Sequence, residues 1–255
     1  MIGETILYIV LPYAAIVTFI VGIAWRYRTD QYGWSARSTQ LLEGKVLGFG
    51  SIIFHLGVLA AIGGHVLGVL IPKAFTDALG LSQSAYHVLA VVGGISAGGA
   101  VIVGFSILMW RRFRYSRVRV TTTNMDLAVF ALLAFGIVTG MLATLTNIGD
   151  SVHYRESVSP YFRKIFIFQP EPALMTGGGV TLIFQLHVIG AWLLLALWPF
   201  SRLVHAFSIP IDYLRRSHIP YRSHTPRPAR GSRPVHPTHS GSTSGEAPGP
   251  VRVPR

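Results

Sequence analysis

The chain has 255 residues, of which 51% are apolar and only 13% charged. A soluble domain carries about 25% charged residues, so this composition points to a membrane protein. The net charge of +12 does not signal nucleic-acid binding: it sits on the flanks of apolar runs and in a C-terminal tail that holds eight arginines and one glutamate from Arg215 onward. The absence of cysteine excludes disulfides, thiolate-held iron–sulfur clusters, a cysteine nucleophile and a covalently attached c-type haem in this chain.

A membrane helix needs about 20 mainly apolar residues. Five stretches qualify, at roughly residues 5–25, 46–71, 86–110, 126–147 and 180–200, the last running on through His205. The predicted fold class is an all-α integral membrane protein with five transmembrane helices, placed in the cell membrane. The leader MIGETI carries Glu4 and neither Lys nor Arg, so the first stretch reads as a retained span and not a cleaved signal peptide. Basic residues crowd the connections after the first, third and fifth spans, where Arg26, Arg28, the run RRFRYSRVR from Arg111 to Arg119, and Arg202 lie. The opposite side has Lys73, Arg155, Arg163 and Lys164. The positive-inside bias therefore sets the N-terminus outside and the C-terminus in the cytoplasm. The connection over 148–179 is too polar to span and reads as an outer cap. Residues 1–214 form the membrane domain. Residues 215–255, rich in Pro, Arg, Ser and Gly, read as a disordered cytoplasmic tail suited to the anionic inner leaflet.

Four histidines lie within or at the edge of spans: His55 and His65 on the second, His187 and His205 on the fifth. One membrane histidine is explained by a hydrogen bond to a neighbouring helix. Two on each of two helices are not, because polar groups in the bilayer are costly and usually functional. Imidazoles are axial ligands of haem iron, and two of them fill both axial positions. Two haems between helices two and five follow. The second and fifth spans run antiparallel, which pairs His55 with His205 on the inner side and His65 with His187 on the outer side. The heights do not match: the 10-residue spacing on one helix rises about 15 Å, the 18-residue spacing on the other about 27 Å. Eighteen residues are five full turns, so His187 and His205 share one face. Helix tilt, the Gly63–Gly64 pair and a bend at Pro199 could absorb the difference. Gly50, Gly57, Gly63, Gly64 and Gly68 either clear space for a flat macrocycle or serve ordinary small-residue packing, and beside the histidines clearance is favoured. Arg202, three residues before His205, and Arg111 and Arg112, which close the third span, either pair ring propionates or anchor helix ends.

The runs FHLGVLAAIGGH (54–65) and FQLHVIGAWLLLALWPFSRLVH (184–205) resemble the haem-ligand helices of the gamma subunit of respiratory nitrate reductase. WRYRTDQYGWSARSTQ, SRVRVTTTNMD and SIPIDYL match as well, and the resemblance covers roughly residues 11–214. It implies a membrane cytochrome b with two b-type haems, ligated by His55, His65, His187 and His205. It also implies menaquinol or ubiquinol oxidation near the outer haem, with electrons passing to a cytoplasmic iron–sulfur beta subunit and a molybdopterin alpha subunit. Some members carry a lysine just before the third span, where this chain reads Ala85, Tyr86, His87. His87 is therefore either the group that binds or deprotonates quinol, or an interfacial anchor, and Gly64 leaves room beside His65 for the quinol ring. The rival readings are the cytochrome b of a related quinone-linked reductase, a haem-free proton-relaying transporter, and a passive membrane anchor for soluble subunits.

Overall fold

The computed structural model describes residues 2–30, 33–177 and 179–207, so the tail expected over 215–255 and the SIPIDYL stretch lie outside the described residues. Among the described residues there is no strand, and five helices are long and apolar enough to cross a membrane. They are α1 (Ile2–Thr29), α2 (Lys45–Leu70), α3 (Gln83–Arg114), α4 (Asn124–Thr146) and α6 (Leu182–Leu197), while α5 (Val158–Phe166) is a short helix in the connection before α6. The protein is a multi-pass membrane protein. One end of the bundle gathers Arg26, Arg111, Arg112 and Arg202 and is called the basic end. The other, covered by α5, is the cap end.

Local chemistry fixes the helix starts. Thr123 and Asp126 form a reciprocal capping box at α4, and the Ser82 hydroxyl accepts from the Ala85 amide at α3. Helix α2 has no side-chain cap on its preceding residue. Instead the Glu43 carboxylate accepts from the Val46 and Leu47 amides at 2.8 and 3.2 Å.

Packing runs α2–α3–α4–α6–α1. The α2–α3 contact is the closest because small residues face each other: a Cβ on Gly57 would stand 2.8 Å from the Val101 amide nitrogen, and one on Gly104 would collide with the Phe54 backbone. Helices α2 and α6 lack the close backbone packing found along the other edges. A buried apolar cluster joins Tyr8 and Ala15 of α1, Val158, Tyr161 and Ile165 of α5, and Val188 and Trp192 of α6. It seats α5 on the cap end.

The last span is not one continuous helix to His205. The α-helix ends at Leu197, a 3-10 turn covers Trp198–Phe200, Ser201 is extended, and a second 3-10 segment, Arg202–Phe207, carries His205. Pro199 breaks the ladder. The expectation that His187 and His205 share one face of a single helix is thereby corrected. The path from His187 to His205 is therefore α-helical only as far as Leu197, whereas that from His55 to His65 is α-helical throughout.

Candidate functional site

Although α2 and α6 do not pack closely, their histidines meet. The His55 and His205 rings have centroids 6.1 Å apart, and the His65 and His187 rings 6.0 Å. The first pair is at the basic end and the second nearer the cap, in the pairing expected from antiparallel helices.

Each ring is held by its Nδ1 atom. That of His55 lies 2.7 Å from the Ser51 carbonyl oxygen, that of His65 2.7 Å from Ala61 O, and that of His205 2.6 Å from Arg202 O. A carbonyl only accepts, so these nitrogens carry the hydrogen. The Nδ1 of His187 meets the Thr139 hydroxyl at 3.2 Å, and that hydroxyl donates to Phe135 O at 2.7 Å, which leaves its oxygen to accept from His187. In the neutral ring all four imidazoles are then Nδ1–H tautomers, with the Nε2 lone pair available to a metal.

The spacing suits a shared ion. A metal–imidazole bond is about 2.0–2.1 Å and the ring nitrogen stands roughly 1 Å from its centroid, so two rings on one ion have centroids roughly 6 Å apart. Among the described residues no group of three or more His, Cys, Asp or Glu is placed to hold a metal ion. An ion between either pair would take its remaining ligands from outside these side chains.

The surrounding glycines divide into two groups. Gly50, Gly57 and Gly68 do not clear space beside the histidines: an added Cβ would meet Ile107 at 2.8 Å, Val101 at 2.8 Å and the Tyr86 hydroxyl at 3.1 Å respectively. Gly63 and Gly64, next to His65, have nothing within 4 Å of an added Cβ. On α4, a Cβ on Gly140 would stand 2.8 Å from the His187 ring.

The arginines have protein partners. Arg202 makes a two-point contact with Asp126, at 2.7 Å from Nε to Oδ1 and 2.5 Å from a terminal nitrogen to Oδ2. Arg112 donates to the Thr122 hydroxyl at 2.9 Å and lies 5.3 Å from the Phe130 ring centre. Arg111 is 2% exposed and binds Thr39 and Glu43, with Nε 2.6 Å from the Glu43 carboxylate. The backbone amide of Val46, and then the Arg111 guanidinium, hold the Glu43 carboxyl below the usual carboxylate range, against desolvation.

At the cap end, His87 reaches out of α3 to the connection after α4. Its Nε2 is 3.0 Å from Ile148 O and its Nδ1 3.3 Å from the Asp150 carboxylate. The second oxygen of Asp150 lies 3.8 Å from Nδ1 of His153, and side-chain exposure rises from 15% at His87 to 29% at Asp150 and 64% at His153.

Sequence reasoning missed Thr139, Gly140, Asp126 and Glu43. Thr139 carried a signal, a hydroxyl inside an otherwise apolar span. Asp126 and Glu43 carried only their charge, because their partners lie 76 and 68 residues away.

The profile of the family described as nitrate reductase gamma subunit matches residues 4–224. The nitrate reductase gamma chain of Bacillus subtilis (strain 168) is 43% identical over 218 residues, which cover 85% of this chain and 97% of that one. The respiratory nitrate reductase 1 gamma chain of Escherichia coli (strain K12) is 32% identical over 215 residues, 82% of this chain and 92% of that one. The nitrate reductase-like protein NarX of Mycobacterium tuberculosis (strain ATCC 25618 / H37Rv) is 44% identical over 226 residues, covering 88% of this chain but 34% of that longer protein.

Proposed function

This chain belongs to the nitrate reductase gamma subunit family, and on that premise we propose that it is the membrane dihaem cytochrome b of a respiratory nitrate reductase. In this reading the cap end faces outward and the basic end the cytoplasm. Menaquinol or ubiquinol is oxidised on the cap side, and electrons leave at the basic end for an iron–sulfur subunit serving a molybdopterin subunit. The observation that carries the proposal is the double imidazole pair, with both spacings near 6 Å and every Nδ1 committed to a protein oxygen.

His55 and His205 would hold the inner haem, His65 and His187 the outer one. When bound, the haems supply one-electron carriers at two depths of the membrane. The Nδ1 hydrogen bonds fix each ring's tautomer and orientation and raise the basicity of Nε2. Thr139 gives His187 the support that backbone carbonyls give the other three. Asp126 matches the charge of Arg202, whereas Arg112 bonds a neutral hydroxyl, which suits it to an anionic ring substituent. Gly64 leaves open space beside His65 for a quinol ring. His87, Asp150 and His153 form a line of rising exposure that would carry the proton released by quinol out to water.

A reduced-minus-oxidised spectrum of the purified complex tests the proposal. Two low-spin b-type haems per chain are expected, one lost in His205→Ala and the other in His187→Ala. A chain without haem refutes the reading and favours a proton-relaying transporter.

A further inference from the structure

Proline removes a backbone N–H and leaves the carbonyl four residues before it without its helical partner. At the cap end Pro72, just beyond α2, does this to the Gly68 carbonyl, and Pro12 interrupts the backbone ladder of α1 next to the segment that holds the Tyr8 carbonyl. Both carbonyls lie in π-helical segments, Ile6–Val10 and Val66–Leu70, where the backbone is already widened.

Helix α5 supplies a donor to each. The Tyr161 hydroxyl donates to Tyr8 O at 3.1 Å and the Ser159 hydroxyl to Gly68 O at 2.6 Å. Arg163 adds a bond to Val69 O at 3.0 Å, another of the unpaired carbonyls at the end of α2. Tyr161 and Ser159 are 0% and 1% exposed, so no water competes. Burial pushes the Tyr161 hydroxyl pKa up, which keeps it a donor.

The two anchored carbonyls lead to the same histidine pair. Gly68 is three residues beyond His65 on α2. The Tyr8 hydroxyl donates to the Gln185 side chain at 2.9 Å, two residues before His187 on α6, and Gln185 itself donates to Val180 O at 3.2 Å. One short amphipathic helix thus holds the ends of both ligand-bearing helices at the cap end.

We infer that Ser159, Tyr161 and Arg163 of α5 are positioning residues for the His65–His187 pair, acting through the Gly68, Tyr8 and Val69 carbonyls to which they donate. The inference rests on the two-haem reading. These side chains touch neither ring; they set where α2 and α6 present them. Ser159, Tyr161 and Arg163 donate only to cap-end carbonyls among the described residues, so the histidine pair at the basic end serves as the internal control.

The test uses the intact complex in its membrane. Ser159→Ala and Tyr161→Phe each delete one hydroxyl and keep the packing, and the double variant deletes both. The cap-end haem is identified as the low-spin electron paramagnetic resonance signal lost in His187→Ala. The double variant is expected to shift or broaden that signal and move that haem's midpoint potential, with the basic-end haem unchanged. Amide hydrogen exchange over Val66–Leu70 is expected to rise at least tenfold. Tyr13→Phe, which removes a 3.2 Å bond to Ile165 O of α5 but touches neither the Tyr8 nor the Gly68 carbonyl through its hydroxyl, is expected to leave both signals alone. A double variant with an unmoved cap-end haem, or with both haems moving together, overturns the inference. Failure of the two-haem reading is distinguishable, because it appears in the unmutated complex as missing low-spin signals.

Discussion

Asp126→Ala is the most informative single substitution at the basic end. Asp126 is 3% exposed, accepts two bonds from Arg202, and takes the Thr123 amide at 3.0 Å in the α4 capping box. Removing one partner of a buried ion pair costs about 3–5 kcal/mol, because the other charge is left uncompensated. Losing the box adds about 1 kcal/mol. The Thr123→Ala control loses only the box and is expected to cost about 1 kcal/mol. For a chain of this size 1 kcal/mol is about 2–4 °C in melting temperature, so the combined loss of about 4–6 kcal/mol should lower the melting temperature of Asp126→Ala by about 15 °C. The effect is also local: the Arg202 whose side chain is released is the residue whose carbonyl holds His205 Nδ1 at 2.6 Å. The assay is thermal unfolding in detergent together with haem content resolved by signal. The basic-end haem should be depleted and the cap-end haem retained. If Asp126→Ala melts with Thr123→Ala and keeps both haems, Arg202 does not position His205 through this pair.

Gly140→Ala places a methyl 2.8 Å from the His187 ring, and overpacking of this kind costs about 1–3 kcal/mol. Loss of the cap-end haem signal alone is expected in optical titration, and an unaltered spectrum contradicts the close approach. Glu43 gives a pH dependence: its folded carboxyl lies below its ordinary value of 4.5, so its stabilisation is complete above that value and fades as pH falls through the lower, folded one. Melting temperature measured from pH 7 to pH 3 should drop less steeply in Glu43→Gln, which starts lower at pH 7; equal slopes would remove Glu43 from the account. His87→Ala should keep both haems and slow quinol oxidation in stopped-flow assays, with the deficit partly shared by Asp150→Asn, and full turnover in both variants ends the proton role.

The spans were legible in the sequence because a bilayer demands long apolar helices, and composition alone reveals them. The histidine pairing was legible too, since antiparallel helices admit only one matching of ends. What escaped was set by contacts distant in sequence. The nine residues of α5 expose their apolar face only as Val158, Tyr161 and Ile165, a pattern too short to stand out in a polar connection. Pro199 announced a bend, but not the extended Ser201 that carries His205 onto a separate 3-10 segment. Gly50 and Gly57, seven residues apart, look the same in sequence whether they face a ring or a neighbouring helix. The acidic partners of Arg111 and Arg202 were invisible until the chain brought them together.

Arg26 of α1 donates to the carbonyls of Pro199 and Ser201 at 2.8 and 2.9 Å, at the break before His205. Donor and acceptors belong to the first and last spans, so during synthesis the arginine emerges long before these two carbonyls, with only Asp30 and the Gly33 carbonyl near it in sequence. Until the fifth span arrives, Arg26 must stay in water or among lipid headgroups at the bilayer edge, and its withdrawal to 6% exposure marks a finished chain. The first span is thus locked to the last at the break before His205, so the basic end of the bundle closes only when the fifth span is in place.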